Sequence, residues 1–178
     1  FGNRGLEEEV YDLTFGSREW RLLDAGRITR REANERMLQR ARAVGRGFEV
    51  EGVLDDWMSM LHPRRRMQTL VAQLKQRGYC VYYLSNIPED VLDLLMHRDF
   101  EGLFDGGVAS CEVKVNKPDP RIYQALLDKY HLRADECIFI DDRADNLVAA
   151  SALGFGIYEM HNVGTLLRSL PTFGVSLH

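Results

Sequence analysis

Apolar and polar residues follow two different patterns along the chain, and the change falls near residue 62. Before that point apolar side chains recur at helical spacing, and no segment alternates as a half-buried strand does. The clearest start signal is Thr29, because Glu32 three residues later completes a capping box. The pattern predicts helices over 6–15, 30–44 and 50–61.

Beyond His62-Pro63, short apolar runs alternate with helical segments. This alternation is typical of an α/β fold, in which a Rossmann-like parallel sheet is flanked by helices on both faces. The chain therefore divides into a small all-helical module, residues 4–61, and an α/β module from residue 62 onward. The predicted strands cover 80–84, 107–110, 137–141 and 156–159, and the predicted helices cover 64–77, a segment after Pro88, 118–130 and 144–153.

The strand over 137–141 ends in two adjacent carboxylates, Asp141 and Asp142. A short apolar run of this kind predicts a strand buried on both faces of a parallel sheet. Its end then lies at the carboxyl edge of the sheet, where open α/β folds bind their ligands. Since adjacent carboxylates repel one another unless a cation is close, and Mg2+ prefers oxygen ligands, Mg2+ is the natural cofactor.

Composition and charge narrow the class of function. The 178 residues are 45% apolar and 28% charged, which is ordinary for a globular protein. The formal net charge of −4 argues against a nucleic-acid partner, and no apolar run approaches membrane-spanning length. Three widely spaced cysteines argue against a disulfide framework or a zinc site and favour the reducing cytoplasm. The sequence does not indicate an oligomeric state.

Polar groups recur wherever a predicted strand ends or the next helix begins: Ser85-Asn86, Lys117-Pro118 and Asp141-Asp142, with Asn146 one turn further on. Each alone is commonly a turn, an exposed loop charge or a helix cap. Together, at one edge of one sheet, they form a set suited to phosphoryl transfer, which depends on positioning and charge neutralisation. A hydroxyl and an amide hold phosphoryl oxygens, an ammonium neutralises charge, and a carboxylate holds a metal. The set contains no nucleophile.

In this order, Leu-Ser-Asn, Lys-Pro-Asp-Pro-Arg-Ile-Tyr and Phe-Ile-Asp-Asp-Arg-Ala-Asp-Asn resemble the second to fourth motifs of the haloacid dehalogenase superfamily. The resemblance is closest to phosphatases related to the amino-terminal domain of soluble epoxide hydrolase. It covers about residues 62–160, and residues 4–61 resemble that family's inserted cap. We expect Phe15, Trp20 and Trp57 to pack the core of this cap rather than line a pocket.

The resemblance implies a role for each matched residue. Ser85 and Asn86 would bind the phosphoryl group, and Lys117 would balance charge beside the nucleophile. Asp142 would bind Mg2+ directly, with Asp141 supporting the site directly or through water. Asn146 matches a position that either reaches the site or caps its helix, and capping is the simpler interpretation.

The implied function is a Mg2+-dependent phosphatase of small phosphorylated metabolites, most plausibly sugar phosphates, acting through an aspartyl-phosphate. The paired carboxylates favour a phosphatase, because they require a nearby cation and a phosphatase uses a metal ion to bind the phosphoryl group. A dehalogenase that acts on a small acid binds no phosphoryl group and needs no such metal. Two alternatives stay open. One is a dehalogenase-type hydrolase, and the other is a non-catalytic binding or regulatory protein that has lost the nucleophile.

One departure from the family pattern concerns the nucleophile, an aspartate that ends a first strand before the cap. Relatives commonly read Asp-Phe-Gly-Asn-Val there, and Phe1-Gly2-Asn3 matches the middle of that string. Residues 1–3 are therefore assigned to the core. Without the first strand, a gap of about 10 Å would separate the strands ending at Leu84 and Asp141. We expect residues to be missing before Phe1, and also between Asn3 and Arg4.

Overall fold

A computed structural model describes residues 2–98 and 100–177; Phe1, which the motif match includes, lies outside them. Helices dominate the first third of the chain, and helices and short strands alternate afterwards. The helices are α1 Arg4–Leu13, α2 Arg18–Asp24, α3 Arg30–Ala43, α4 Gly47–Asp56, α5 Arg65–Gln76, α6 Glu89–Arg98, α7 Ser110–Val113, α8 Pro120–Tyr130, α9 Ala144–Ala152 and α10 Val163–Ser169. The strands are β1 Tyr82–Ser85, β2 Gly106–Ala109, β3 Ile138–Asp141 and β4 Gly156–Glu159.

The four amino-terminal helices pack around a shared apolar cluster. Val10, Met37 and Val50 come from three of these helices, and each is almost fully buried. The capping box at Thr29 and Glu32 is confirmed, with both reciprocal hydrogen bonds present at the start of α3. The sequence analysis missed α2, although its N-cap Ser17 accepts a hydrogen bond from the backbone N–H of Trp20.

Asn3 caps the helix that begins at Arg4. Its side-chain oxygen accepts a hydrogen bond from Leu6 N, and its backbone carbonyl accepts one from Glu7 N. These bonds place Asn3 at the start of α1, and the expectation that residues are missing between Asn3 and Arg4 stays a prediction.

The strands are parallel, which confirms the α/β class, but they form two separate pairs. β1 pairs with β2 and β3 pairs with β4, and within 2–98 and 100–177 no ladder joins the pairs. The expectation that β3 is buried on both faces is wrong. Phe139 is 8% exposed, whereas Ile140, which points to the opposite face, is 36% exposed. That a further strand lies between β1 and β3 stays a prediction.

The aromatic side chains of the helical region do more than pack its own core. Phe15, Trp20 and Trp57 contact one another with ring centroids 4.7–6.1 Å apart. Their cluster also includes Ile87, which precedes α6, and Val91, which lies in its first turn. These rings therefore join the helical region to the α/β region. Of the three, Trp20 also packs against the helical cluster, as expected, whereas the core that Phe15 and Trp57 pack lies between the two regions.

The start of α8 also differs from the expectation. The helix begins at Pro120 rather than Pro118, because the Asp119 side chain caps it by accepting a hydrogen bond from Arg121 N. Pro118 precedes this cap and follows a cis peptide bond from Lys117. In the part of the chain that the structure describes, no helix is long and apolar enough to cross a membrane.

Candidate active site

The loop after β1 is held against the Lys117 segment by a reciprocal pair of hydrogen bonds. Asn86 Nδ2 donates to the Lys117 carbonyl at 3.0 Å, and Lys117 N donates to Asn86 Oδ1 at 2.7 Å. The amide of Asn86 thus fixes the backbone from which the lysine side chain departs. Because an amide nitrogen carries two N–H groups, one remains for a ligand, and phosphate binding by Asn86 stays a prediction.

The Lys117 ammonium links the ends of the two strand pairs. Its Nζ donates to the Leu84 carbonyl oxygen on β1 at 2.8 Å and to Asp141 Oδ2 on β3 at 2.7 Å. It also lies 5.3 Å from the centre of the Phe139 ring. The Lys117 and Asp141 side chains are only 9% and 8% exposed, so their charges interact with little screening by water. An ammonium has three N–H groups, which leaves one for a substrate anion.

Asp141 is held on both carboxylate oxygens. Oδ2 accepts from Lys117, while Oδ1 accepts from Asn146 Nδ2 and from Arg143 N, both at 2.9 Å. Burial alone raises the pKa of Asp141, but the hydrogen bonds from Lys117 and Asn146 outweigh it and hold the pKa below the usual range. Asp141 is therefore a fixed anion that holds the Lys117 ammonium, and its support of a metal, directly or through water, stays a prediction.

Asn146 is buried on α9, and its side chain reaches the site rather than the helix terminus. The capping role favoured from the sequence is wrong, because Arg143 occupies the N-cap and makes no side-chain capping bond. Asn146 Nδ2 donates to Asp141, and its Oδ1 is buried without a partner among the described residues. Sequence reasoning missed Tyr123, which is fully buried on α8 and whose hydroxyl donates to the Asn146 carbonyl at 2.9 Å. Nothing in the apolar stripe of α8 distinguishes that hydroxyl.

Asp142 differs sharply from its neighbour. It is exposed, and in residues 2–98 and 100–177 it has no recorded hydrogen bond or ion pair. Ser85 is half-buried at the end of β1, next to the carbonyl that Lys117 contacts. The structure therefore brings the Ser85, Lys117 and Asp141-Asp142 segments to one edge of the strands, as the sequence predicts.

The described residues test whether a divalent cation fits this edge. Among residues 2–98 and 100–177, no three His, Cys, Asp or Glu side chains are grouped so that they could hold a metal ion by themselves. Mg2+ is commonly bound by one or two carboxylates together with substrate oxygens and water. The unpaired carboxylate of Asp142 suits that mode, whereas the oxygens of Asp141 already have partners. The donor set thus fits a Mg2+ ion held by Asp142 and completed by substrate.

A family model described as haloacid dehalogenase-like hydrolase matches residues 4–154, most of the chain. The chain belongs to the haloacid dehalogenase-like hydrolases. The resemblance drawn from the motifs is thereby confirmed, as is the fold class. The match extends across both the helical and the α/β regions, and the protein is therefore a hydrolase.

Similar proteins support this placement. The chain is 31% identical to a sesquiterpene phosphatase, astK, of Aspergillus oryzae over 155 residues, 85% of this chain and 78% of that protein. It is 27% identical to mouse bifunctional epoxide hydrolase 2, and there it spans only 23% of the relative's length. A haloacid dehalogenase family enzyme from Bacteroides thetaiotaomicron, solved with magnesium and inorganic phosphate, superposes with a TM-score of 0.65 at 26% identity. That match covers 94% of this chain and 86% of the other.

Proposed function

We propose that this haloacid dehalogenase-like hydrolase is a Mg2+-dependent phosphatase of small phosphorylated metabolites, with sugar phosphates as the leading class. The observation that carries the proposal is the Lys117 ammonium, fixed between the Leu84 carbonyl and Asp141, with the exposed Asp142 as the next residue in the chain. A positive group with one free N–H and an exposed carboxylate on the loop that it contacts suit a phosphate ester and a divalent cation together.

Each residue has a definite part in the proposed reaction. Lys117 binds a phosphoryl oxygen with its third N–H and offsets the charge that develops in the transition state. Ser85 donates its hydroxyl to a second phosphoryl oxygen, and Asp142 holds Mg2+, which supplies further charge neutralisation. Asp141 and Asn146 orient Lys117 and the loops rather than contact the reacting atoms. Asn86 fixes the Lys117 backbone and offers its second amide N–H to a phosphoryl oxygen.

The proposed chemistry has two steps. An aspartate carboxylate attacks phosphorus, the bond to the leaving-group oxygen breaks, and an aspartyl-phosphate forms with release of the alcohol. Water then cleaves the acyl phosphate, releasing inorganic phosphate and restoring the carboxylate. We assign the attacking aspartate to no residue in 2–98 or 100–177. The helical region acts as a cap that excludes water and selects the leaving group.

A substrate panel on the full-length polypeptide tests the proposal. Sugar phosphates are tried together with a sesquiterpenyl phosphate, prompted by the name of the Aspergillus relative, and a 2-haloacid represents the dehalogenase alternative. We expect phosphate release that requires Mg2+ and stops with a chelator. Halide release without metal would support the dehalogenase, and binding of phosphate without turnover would support the non-catalytic alternative.

Asp142→Asn separates a metal-site role from a folding role. Asp142 is exposed and has no recorded partner in the described ranges, so its loss should change the free energy of unfolding by less than about 0.5 kcal/mol. Mg2+-dependent turnover should fall at least a hundredfold, roughly the loss of one charge-stabilising group. The matched control is Asp55→Asn, an exposed carboxylate on α4. Full activity in Asp142→Asn would contradict the metal assignment.

A further inference from the structure

A concave surface lies where the helical region meets the start of α8. This cleft has a volume of about 230 Å³, which is small for a drug-sized ligand but ample for a compact ion. Positive charge dominates its lining, in a chain whose formal net charge is −4. The charged residues in the lining are Arg18, Arg21, Arg27, Arg121 and Asp119.

Three of these arginines come from the helical region and lack a carboxylate partner among the described residues. Arg21 Nη1 donates to the Gly16 carbonyl at 2.8 Å, and Arg27 Nε donates to the Lys114 carbonyl at 3.0 Å. Arg18 has no hydrogen bond or ion pair recorded within the same ranges. Each contact leaves most of the guanidinium N–H groups unused, because an arginine carries five.

The single acidic group in the lining does not neutralise the others. Asp119 is bound by Arg121 through two N–H groups at 2.7 and 3.0 Å. These bonds, with a smaller effect from Arg27, lower the pKa of Asp119 to about 2. Asp119 thus cancels one arginine of the four, and the cleft keeps an excess of positive charge.

We infer that this cleft binds a small multivalent anion bearing phosphate or carboxylate groups. Guanidinium groups match both anions in planar, two-point hydrogen bonds, and several of them around one cavity favour a ligand with more than one negative charge. The site is distinct from the candidate active site, because the Lys117 ammonium points toward Leu84 and Asp141 and does not line the cleft.

The cleft lies between the helical and the α/β regions, so a bound anion would affect how the two are held together. Direct bonds between the two regions border it: Asn116 Nδ2 donates to the Arg21 carbonyl at 2.7 Å, and Lys114 Nζ donates to the Gly26 carbonyl at 3.2 Å. A bound anion would contact arginines from both regions and hold them together. Asn116 and Asp119 also flank Lys117 in sequence, so anion binding would stiffen the loop that carries it.

Calorimetric titration of the full chain with pyrophosphate and, separately, with citrate tests the site and distinguishes phosphate from carboxylate ligands. Arg18→Gln should weaken binding about tenfold, and Arg18→Gln with Arg21→Gln should weaken it about a hundredfold, given the usual strength of hydrogen bonds to charged groups. The single variant should fold normally, since the Arg18 side chain has no hydrogen bond or ion pair to lose among the described residues. The control is Arg31→Gln with Arg36→Gln, which removes the same charge from an exposed face of α3.

Thermal unfolding supplies a second reading, because a ligand that binds only the native state raises Tm. We expect both anions to raise Tm in the wild type and the control, and much less in the double variant. The inference is overturned if neither anion binds, or if the α3 control loses as much affinity. It is also overturned if the double variant binds normally while Lys117→Met abolishes binding, which would place the anion at the active site only.

Discussion

The ion pair between Lys117 and Asp141 offers the sharpest test of the site's architecture. Lys117→Met replaces the unbranched stem of the lysine with one of similar size and removes the ammonium, along with its bonds to Asp141 and to the Leu84 carbonyl. Asp141 then keeps only Asn146 and the Arg143 N–H as donors. Both charged side chains are less than a tenth exposed, so the remaining carboxylate would be buried without its counter-charge.

Breaking one partner of a buried ion pair costs about 3–5 kcal/mol. For a chain of this length, each kcal/mol lowers Tm by about 2–4 °C, so the expected fall is roughly 6–20 °C. Urea or thermal unfolding of Lys117→Met, Asp141→Asn and the double variant measures the loss. The double variant should be more stable than the sum of the single changes predicts, because it leaves no unpaired charge.

Lys75→Met is a matched control, since Lys75 Nζ also contacts one carbonyl, Gly102, and one carboxylate, Asp105, both at 3.1 Å. The Lys75 side chain is 27% exposed, so Lys75→Met should lower the free energy of unfolding by about 1 kcal/mol or less.

The stability lost in Lys117→Met should be smaller at acidic pH. The pKa of Asp141 lies below its usual value, so its contribution is complete above about pH 4 and is lost as the pH falls further. Equal losses in the two lysine variants, or strictly additive changes, would refute the reasoning.

The half-buried Asp24 and the buried Tyr123 give further expectations. Burial raises the pKa of Asp24 to about 7, with Asp90 adding to the rise and Arg30 opposing it. The native state therefore holds this proton more tightly than the unfolded state, and stability falls by up to roughly 4 kcal/mol as the pH rises from about 4 to about 7. In thermal unfolding at several pH values, Asp24→Asn should flatten that slope; an unchanged slope would count against it. Tyr123→Phe removes the hydroxyl that donates to the Asn146 carbonyl and should lower the free energy of unfolding, measured in urea, by about 1 kcal/mol. An unchanged free energy of unfolding would contradict this expectation.

The parts of the fold that depend on local pattern were predictable from the sequence. The capping box at Thr29 and the apolar run ending at Asp141 are short-range signals, and the structure places both elements within a few residues of the expected bounds. The contact of Lys117 with the ends of β1 and β3 was also predictable, because parallel strands bring their carboxyl ends to a common edge. That the Ser85 and Asp142 side chains bind the same ligand stays a prediction.

Features that depend on packing between distant segments were not predictable. The sequence does not reveal that Asn146 faces Asp141, since an asparagine in the first turn of a helix can also hydrogen-bond the nearby backbone. The separation of the strands into two pairs depends on which strands meet, and no single strand encodes that. The cleft at Arg18 and Arg121 joins residues far apart in the chain, and each arginine alone reads as a solvated surface charge.

The most direct test of the account is a crystal structure of the full-length polypeptide with Mg2+ and inorganic phosphate. The account predicts phosphate within hydrogen-bond distance of Lys117 Nζ and Ser85 Oγ, with the metal on the carboxylate of Asp142. Phosphate bound elsewhere, with Asp142 still free of metal at saturating Mg2+, would contradict it.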